Sequence, residues 1–232
     1  MLDLALFEDR LFSAASAAAF INGLARFALM FLFVFYFQGP QGQSPIMAGV
    51  ELAPLAIGML VASPIAGMLA DRRGSRGLAA LGMVVSAVGL AGMTMLQAHT
   101  AYVWSALWLT VVGIGSGMFM SPNTAAMMGS VPENRRGIAA GARVMLQNTG
   151  AVISIAFVMA IITAAVPQDV LFKIFSGLTS GLSAAQLAPF ISNMHLALWV
   201  LAAVSLVGAA VSMLRPVHVR TTERGTIVEV AA

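Results

Sequence analysis

Residues 48–97 read AGVELAPLAIGMLVASPIAGMLA, then DRRGSRG, then LAALGMVVSAVGLAGMTMLQ. Two long apolar runs flank a short turn that carries one acid, Asp71, and three arginines, Arg72, Arg73 and Arg76. A hydrocarbon core about 30 Å thick takes roughly 20 apolar residues of helix. Each run meets that length, and in lipid a helix pairs its own backbone groups without a neighbour. The stretch therefore reads as two transmembrane helices joined by a turn held at one membrane surface.

Working outward, the same pattern recurs. Apolar spans are expected at about 12–37, 48–70, 78–97, 102–128, 138–165 and 194–214. Between them lie GPQGQSP, DRRGSRG, QAHTA and PENRRG, rich in the residues that punctuate helices. The connection 166–192 is longer, and its VLFKIFSGL reads as a short amphipathic helix at the interface. The expected organisation is an all-α membrane domain over 1–214, followed by a polar, loosely ordered cytoplasmic tail over 215–232.

Composition supports this and removes other classes. Hydrophobic residues make up 59% and charged residues 9%, too little charge to cover a soluble domain of this size. Net charge is only +3, with no basic stripe interleaved with aromatics, so no nucleic-acid partner is expected. Cysteine is absent, which excludes disulfides and thiolate metal sites. His99, His195 and His218 are scattered without ligand spacing, so no metal is expected. The start, MLDLALFEDR, is acidic where a cleavable signal peptide needs a basic region.

Arginine placement sets an expected topology. Arg72, Arg73 and Arg76 follow span two, Arg135 and Arg136 follow span four, and Arg215, Arg220 and Arg224 follow span six. The three opposite connections hold only Lys173. The excess of positive charge on one side places both termini in the cytoplasm, as an even number of spans requires. Trp104, Trp108 and Trp199 fall toward the outer ends, where an aromatic belt sits.

Small residues mark close packing. Gly113-x-x-x-Gly117 and Gly137-x-x-x-Gly141 let backbones approach. Pro54, Pro64 and Pro122 favour bends, with Ser121, Asn123 and Thr124 placed to satisfy the backbone around Pro122. These features suit an ordinary bundle and equally suit flexible, cavity-lining helices. The 16 methionines suit an adaptable apolar cavity and also fill ordinary bundles.

Polar residues inside the spans are the candidate site. Arg26 stands at mid-depth in span one, where burial costs about 2.5–3.5 kcal/mol on insertion scales. It must face a cavity, or bond to a neighbouring helix as a structural arginine. Asn22 lies one turn away on the same face. Gln147 and Asn148 on span five are further cavity candidates or interhelical glue, and Arg143 can reach the cytoplasmic interface. Glu51 reads as a solvated acid at the outer rim, with a titrating role or a pair with Arg26 as alternatives. The depths of Glu51 and Arg26 differ by roughly 9 Å at helical rise.

An enzymatic reading, intramembrane serine proteolysis, needs a nucleophile and base in contact. Ser116 is the candidate nucleophile and His195 the nearest candidate base, but they lie roughly 20 Å apart in depth, and Ile114 stands where the motif needs glycine. No enzyme is expected.

The turn names a family. Gly67, Leu69, Asp71, Arg72, Gly74 and Arg76 resemble the G-x-L-x-D-R-x-G-x-R signature of the major facilitator superfamily, with Arg73 inside it. In this hairpin Gly67 would allow a close helix pair, Asp71 would accept from free helical N–H groups, and the arginines would anchor the turn at the anionic leaflet. FYFQGPQGQSPIMAGVELAPLAIGMLVASPIAG, SPNTAAMMGSVPENRRGIAAGA and RVMLQNTGAVISIA are similar to the carboxy-terminal half of fourteen-span drug:proton antiporters, the EmrB/QacA-like family. The resemblance runs from about Leu2 to Leu214.

That resemblance implies one six-span half, an inverted three-plus-three repeat, of a transporter that works by alternating access. It implies export of amphipathic small molecules against proton entry in a bacterial plasma membrane, with the proton gradient as energy source and no cofactor. The family's antiporter motif and usual coupling acids lie in an amino-terminal half that this sequence does not contain. A partner half, or a second copy, is therefore implied. The rival reading is a non-transporting membrane subunit or remnant that associates with a partner half.

Overall fold

A computed structural model describes residues 4–164, 166–176 and 183–214. They form α1 (Arg10–Gln38), α2 (Pro45–Glu51), α3 (Ala53–Arg73), α4 (Ser75–Met93), α5 (Tyr102–Gly129), α6 (Arg136–Thr163), α7 (Gln168–Phe175) and α8 (Ala184–Met213). Among the described residues, six helical stretches are long and apolar enough to cross a membrane, with α2 and α3 together making one of them. The tail 215–232 lies outside the described residues.

Helix ends follow local chemistry. Asp9 caps α1 by accepting from the Phe12 amide at 2.7 Å, and Gly39-Pro40 follows its last turn. Ser44 caps α2 and Pro45 occupies its first turn, so the second span starts earlier than the expected residue 48. Pro54 has no N–H to return to the preceding turn, and the ladder breaks at Leu52. Gly74, at φ 88°, lets α3 turn directly into α4, a conformation that costs a side-chain-bearing residue more.

The short amphipathic helix forms as expected, and only the extent of the non-helical part changes in the long fifth connection. Its second part is not a loop, because α8 begins at Ala184 on a capping box. The Ser183 amide donates to Gln186 Oε1 at 2.9 Å, and the Gln186 amide donates to Ser183 Oγ at 3.4 Å. Its first part holds α7, whose buried Val170, Leu171 and Ile174 face the bundle while Phe172 and Lys173 are exposed. Residues 177–178 of the VLFKIFSGL stretch lie outside the described residues.

The long helices pack in a series: α3 along α5, α5 along α4, α4 along α8, α8 along α1, and α1 along α6. Glycine sets the tightest contacts. A Cβ at Gly58 of α3 would stand 2.6 Å from the Thr110 carbonyl of α5, and Gly113 of α5 abuts the Leu55 carbonyl. Gly137 and Gly141 behave differently from the expectation for small-residue pairs, since nothing lies within 4 Å of a Cβ at either. They sit on an open face of α6.

The series ends in α3 and α6, and burial records it. Only 28% of the apolar window is buried in the second span and in the fifth, against 44–56% in the other four. Ile57, Leu60, Val61 and Ile65 of α3 and Val144, Met145, Val152 and Ile153 of α6 are exposed. The main core joins α1, α4, α5 and α8 through Phe33, Tyr36, Phe37, Leu90, Leu109, Phe190 and Leu198, and takes in only Leu55 of α3 and Val158 and Ile162 of α6.

Candidate functional site

Of the polar residues of the spans, Gln147 lies where α1 crosses α6. A Cβ at Gly23 would stand 3.1 Å from the Gln147 carbonyl, and one at Gly150 would stand 2.9 Å from the Phe20 carbonyl. The crossing buries Gln147 against α1, while Asn148, one residue on, is exposed and points elsewhere on α6. Gln147 Oε1 accepts from Arg143 Nη1 at 3.3 Å, so Arg143 bonds along its own helix.

Arg26 lies one turn beyond the crossing on α1 and is half-buried. Among the described residues its Nη1 meets only the Met59 sulfur of α3, at 3.8 Å, and its guanidinium carbon lies 4.8 Å from the centre of the Phe27 ring. Its Nε is buried with no hydrogen-bond partner. Asn22 turns into the bundle instead: it is 3% exposed, donates to the Met83 sulfur of α4 at 3.5 Å, and leaves Oδ1 without a partner.

Glu51 departs from its expected place. It is 7% exposed rather than solvated, and its Oε2 has no partner. The earlier start of the second span carries it inward, to the last residue of α2 at the helix break. Tyr102 of α5 donates its hydroxyl to the Glu51 carbonyl at 3.2 Å. Among the described residues no ion pair joins Glu51 to Arg26; the pair present is Arg136–Glu133, on the surface at 3.2 Å.

In the hairpin, Gly67 lies against α5, where a Cβ would stand 2.9 Å from Ser121 Oγ. Asp71, Arg72 and Arg73 are exposed, and Arg76 is half-exposed with a buried, unpartnered Nε. Asp71 does not cap the following helix as the motif reading expected. It still belongs to the last turn of α3, and the N-cap of α4 is Gly74, which has no side chain to offer. Around Pro122, Thr124 bonds back to the Met120 carbonyl at 2.8 Å, whereas Asn123 crosses to the Ala15 carbonyl of α1 at 3.2 Å.

At the end opposite the hairpin, a latch joins two loops that the sequence reading did not connect. Tyr36 donates to the Gln97 carbonyl at 2.7 Å, and Gln41 Nε2 donates to the Ala98 carbonyl at 3.0 Å. His195 donates a ring N–H to the Leu96 carbonyl at 2.7 Å, beside a cavity of about 590 Å³ lined by His99, Ile191 and Ser192. Ser116 is buried in α5, and His195 is engaged in this end contact. The one hint in the sequence was Tyr36, an aromatic hydroxyl near a helix end, which needs a polar partner when buried.

The sequence profile of the Major Facilitator Superfamily matches residues 15–228, nearly the entire chain. The chain belongs to this superfamily. The superfamily chain is 26% identical over 172 residues to the riboflavin transporter RibZ of Clostridioides difficile, covering 74% of this chain and 38% of that protein. It is 30% identical over 141 residues to the tetracenomycin C resistance and export protein of Streptomyces glaucescens, covering 61% and 26% respectively. A multidrug resistance protein B homolog of Mycobacterium tuberculosis is 31% identical over 128 residues, 54% of this chain and 24% of that protein. The chain thus spans between about a quarter and two-fifths of the length of these curated relatives.

Among solved structures, the Escherichia coli fucose:proton symporter FucP superposes with a TM-score of 0.67 over 89% of this chain and 49% of that one, at 20% identity. That likeness establishes the fold. The chain is an integral membrane protein of a transporter superfamily, not an enzyme, and its described residues hold six helical stretches able to span a bilayer.

Proposed function

We propose that this chain is the carboxy-terminal six-span half of a fourteen-span drug:proton antiporter, exporting amphipathic small molecules by alternating access. The observation that carries the reading is the open edge of the bundle. α3 and α6 are the least buried spans, and the arginine-bearing crossing of α1 and α6 lies beside them. Several relatives are multidrug resistance or export proteins, which supports a broad apolar substrate class. A second six-span half, from another chain or a second copy, covers the exposed faces of α3 and α6 and supplies the other wall.

In this reading Glu51 is the titrating acid of this half. Glu51 is buried at a break in a membrane helix, and one of its carboxylate oxygens has no hydrogen-bond partner, which supports a role for it in proton coupling. The hairpin arginines face the cytoplasm of a bacterial plasma membrane, with both termini on that side. The test is uptake of an amphipathic dye into everted membrane vesicles that contain this chain with an amino-terminal half. Uptake abolished by a protonophore supports proton antiport. Uptake indifferent to the protonophore, or equal to that of vesicles lacking the chain, removes the proposal.

A further inference from the structure

We propose that His99 and His195 form an exchangeable binding site for a divalent transition-metal ion of the Zn2+, Cu2+ and Ni2+ class. The site stands apart from the residues of the proposed transport pathway and does not rest on the transport reading.

The fold brings together two histidines that lie far apart in sequence. Ala188, Ile191, Ser192 and His195 fall at helical spacing on one face of α8. Across a cavity of about 590 Å³ they meet residues 97–100 of the α4–α5 loop, so both histidines line the same space. The loop is pinned on either side of His99. Gln41 Nε2 donates to the Ala98 and Thr100 carbonyls at 3.0 and 3.1 Å, and the Gln97 amide donates to Thr100 Oγ1 at 2.7 Å.

The hydrogen bond of His195 prepares it as a ligand. A carbonyl oxygen only accepts, so the Nε2 atom that meets the Leu96 carbonyl at 2.7 Å carries the proton. In the neutral ring Nδ1 is then a bare lone pair. Metal-ligating histidines are held in this way, with one ring nitrogen on a backbone carbonyl and the other on the ion. His99 is exposed and forms no hydrogen bond among the described residues, so its imidazole is free to turn into the cavity.

The donor set chooses the ion. Imidazole suits Zn2+, Cu2+ and Ni2+, whereas Mg2+ and Ca2+ favour carboxylate oxygens, and no Asp or Glu lines the cavity. Among the described residues no third His, Asp or Glu joins the pair. Water and the neutral oxygens of Gln97 and Ser192 complete the coordination, which makes an exchangeable site and not the closed cage of a structural metal. A bound ion ties the α4–α5 loop to α8 and braces the end of the bundle that Tyr36 and Gln97 already latch.

The test is Zn2+ binding by the detergent-purified chain, made without a polyhistidine tag, in competition with the chromophoric indicator mag-fura-2. One Zn2+ per chain is expected, undisturbed by excess Mg2+. His99→Ala and His195→Gln each weaken binding roughly tenfold or more. His218→Ala, the remaining histidine, leaves it unchanged. His99→Ala removes an exposed side chain, and His195→Gln keeps an N–H for the Leu96 carbonyl, so gel filtration should show both intact. Zn2+ also slows protease cleavage near Thr100 in the parent chain and in neither variant.

Should His195→Gln lose its monodisperse peak, electron paramagnetic resonance of Cu2+ on the parent chain takes its place. Splitting from two imidazole nitrogens supports the shared site, and splitting from one overturns it. Absence of saturable Zn2+ binding overturns the proposal. So does binding that survives either His99→Ala or His195→Gln undiminished, that is lost on His218→Ala, or that Mg2+ displaces.

Discussion

Gly23 of α1 lies against the backbone of Gln147 on α6, with 3.1 Å between a would-be Cβ and the Gln147 carbonyl oxygen. This contact joins one end of the helical series to the rest. The neighbour is backbone, which cannot swing aside as a flexible side chain can. Gly23→Val is expected to lower stability by about 1–3 kcal/mol, the usual range for overpacking. The readout is a lower midpoint for loss of the monodisperse peak on heating in detergent.

The glycines of α5 and α6 make a contrasting pair. Gly113 abuts Leu55 backbone, whereas Gly137 and Gly141 have nothing within 4 Å. Gly113→Val should therefore destabilise the isolated chain, while Gly137→Ala and Gly141→Ala leave its midpoint unchanged or raise it, since Ala favours a helix over Gly by about 0.5–1 kcal/mol. If the open face of α6 receives another half, the latter two alter pull-down of that half instead. A midpoint equally lowered by all three substitutions would contradict the packing described.

Glu51→Gln replaces a buried carboxyl that has an unpartnered oxygen by a neutral group of the same shape. Stability should hold, since no ion pair is lost. Under the proposed coupling role, gradient-driven dye uptake falls about tenfold or more while exchange of dye down its own gradient persists. Full gradient-driven uptake by this variant would remove Glu51 from proton coupling.

At the outer loops, Tyr36→Phe removes the hydroxyl that donates to the Gln97 carbonyl and accepts from Gln41 Nε2, which keeps the Ala98 and Thr100 carbonyls as acceptors. A loss of about 0.5–1.5 kcal/mol is expected, the net worth of one hydrogen bond. Faster protease cleavage near Thr100, with the other loops unaffected, is the second readout.

How much of this was legible beforehand depends on which physics decides each feature. The six spans were, because bilayer thickness imposes a length on apolar runs and arginine-bearing turns separate them. The family was, because Gly67, Asp71, Arg72, Gly74 and Arg76 keep a fixed order. The break at Leu52 was only half visible: Pro54 announced a bend, but the Ser44-Pro45 start that shifts Glu51 inward depends on which cap forms. The role of Asp71 was misjudged by three residues, since α3 continues to Arg73 before Gly74 turns the chain. Gly113-x-x-x-Gly117 and Gly137-x-x-x-Gly141 are the same pattern in sequence, and only tertiary packing distinguishes the closed contact from the open one. Likewise Asn22 and Arg26 share a helix face by spacing, yet Asn22 reaches α4 and Arg26 reaches α3.

The central claim is that Arg26 lies on a watered path through the membrane and not against lipid. The natural absence of cysteine makes the chain ready for single-cysteine labelling. The decisive measurement is the reaction of Arg26→Cys with a charged, membrane-impermeant thiol reagent in native membranes, compared with Val207→Cys on the exposed face of α8. Thiols react as thiolates, which form in water and not in hydrocarbon. The account predicts labelling of Arg26→Cys and none of Val207→Cys; equal inertness of the two would contradict it.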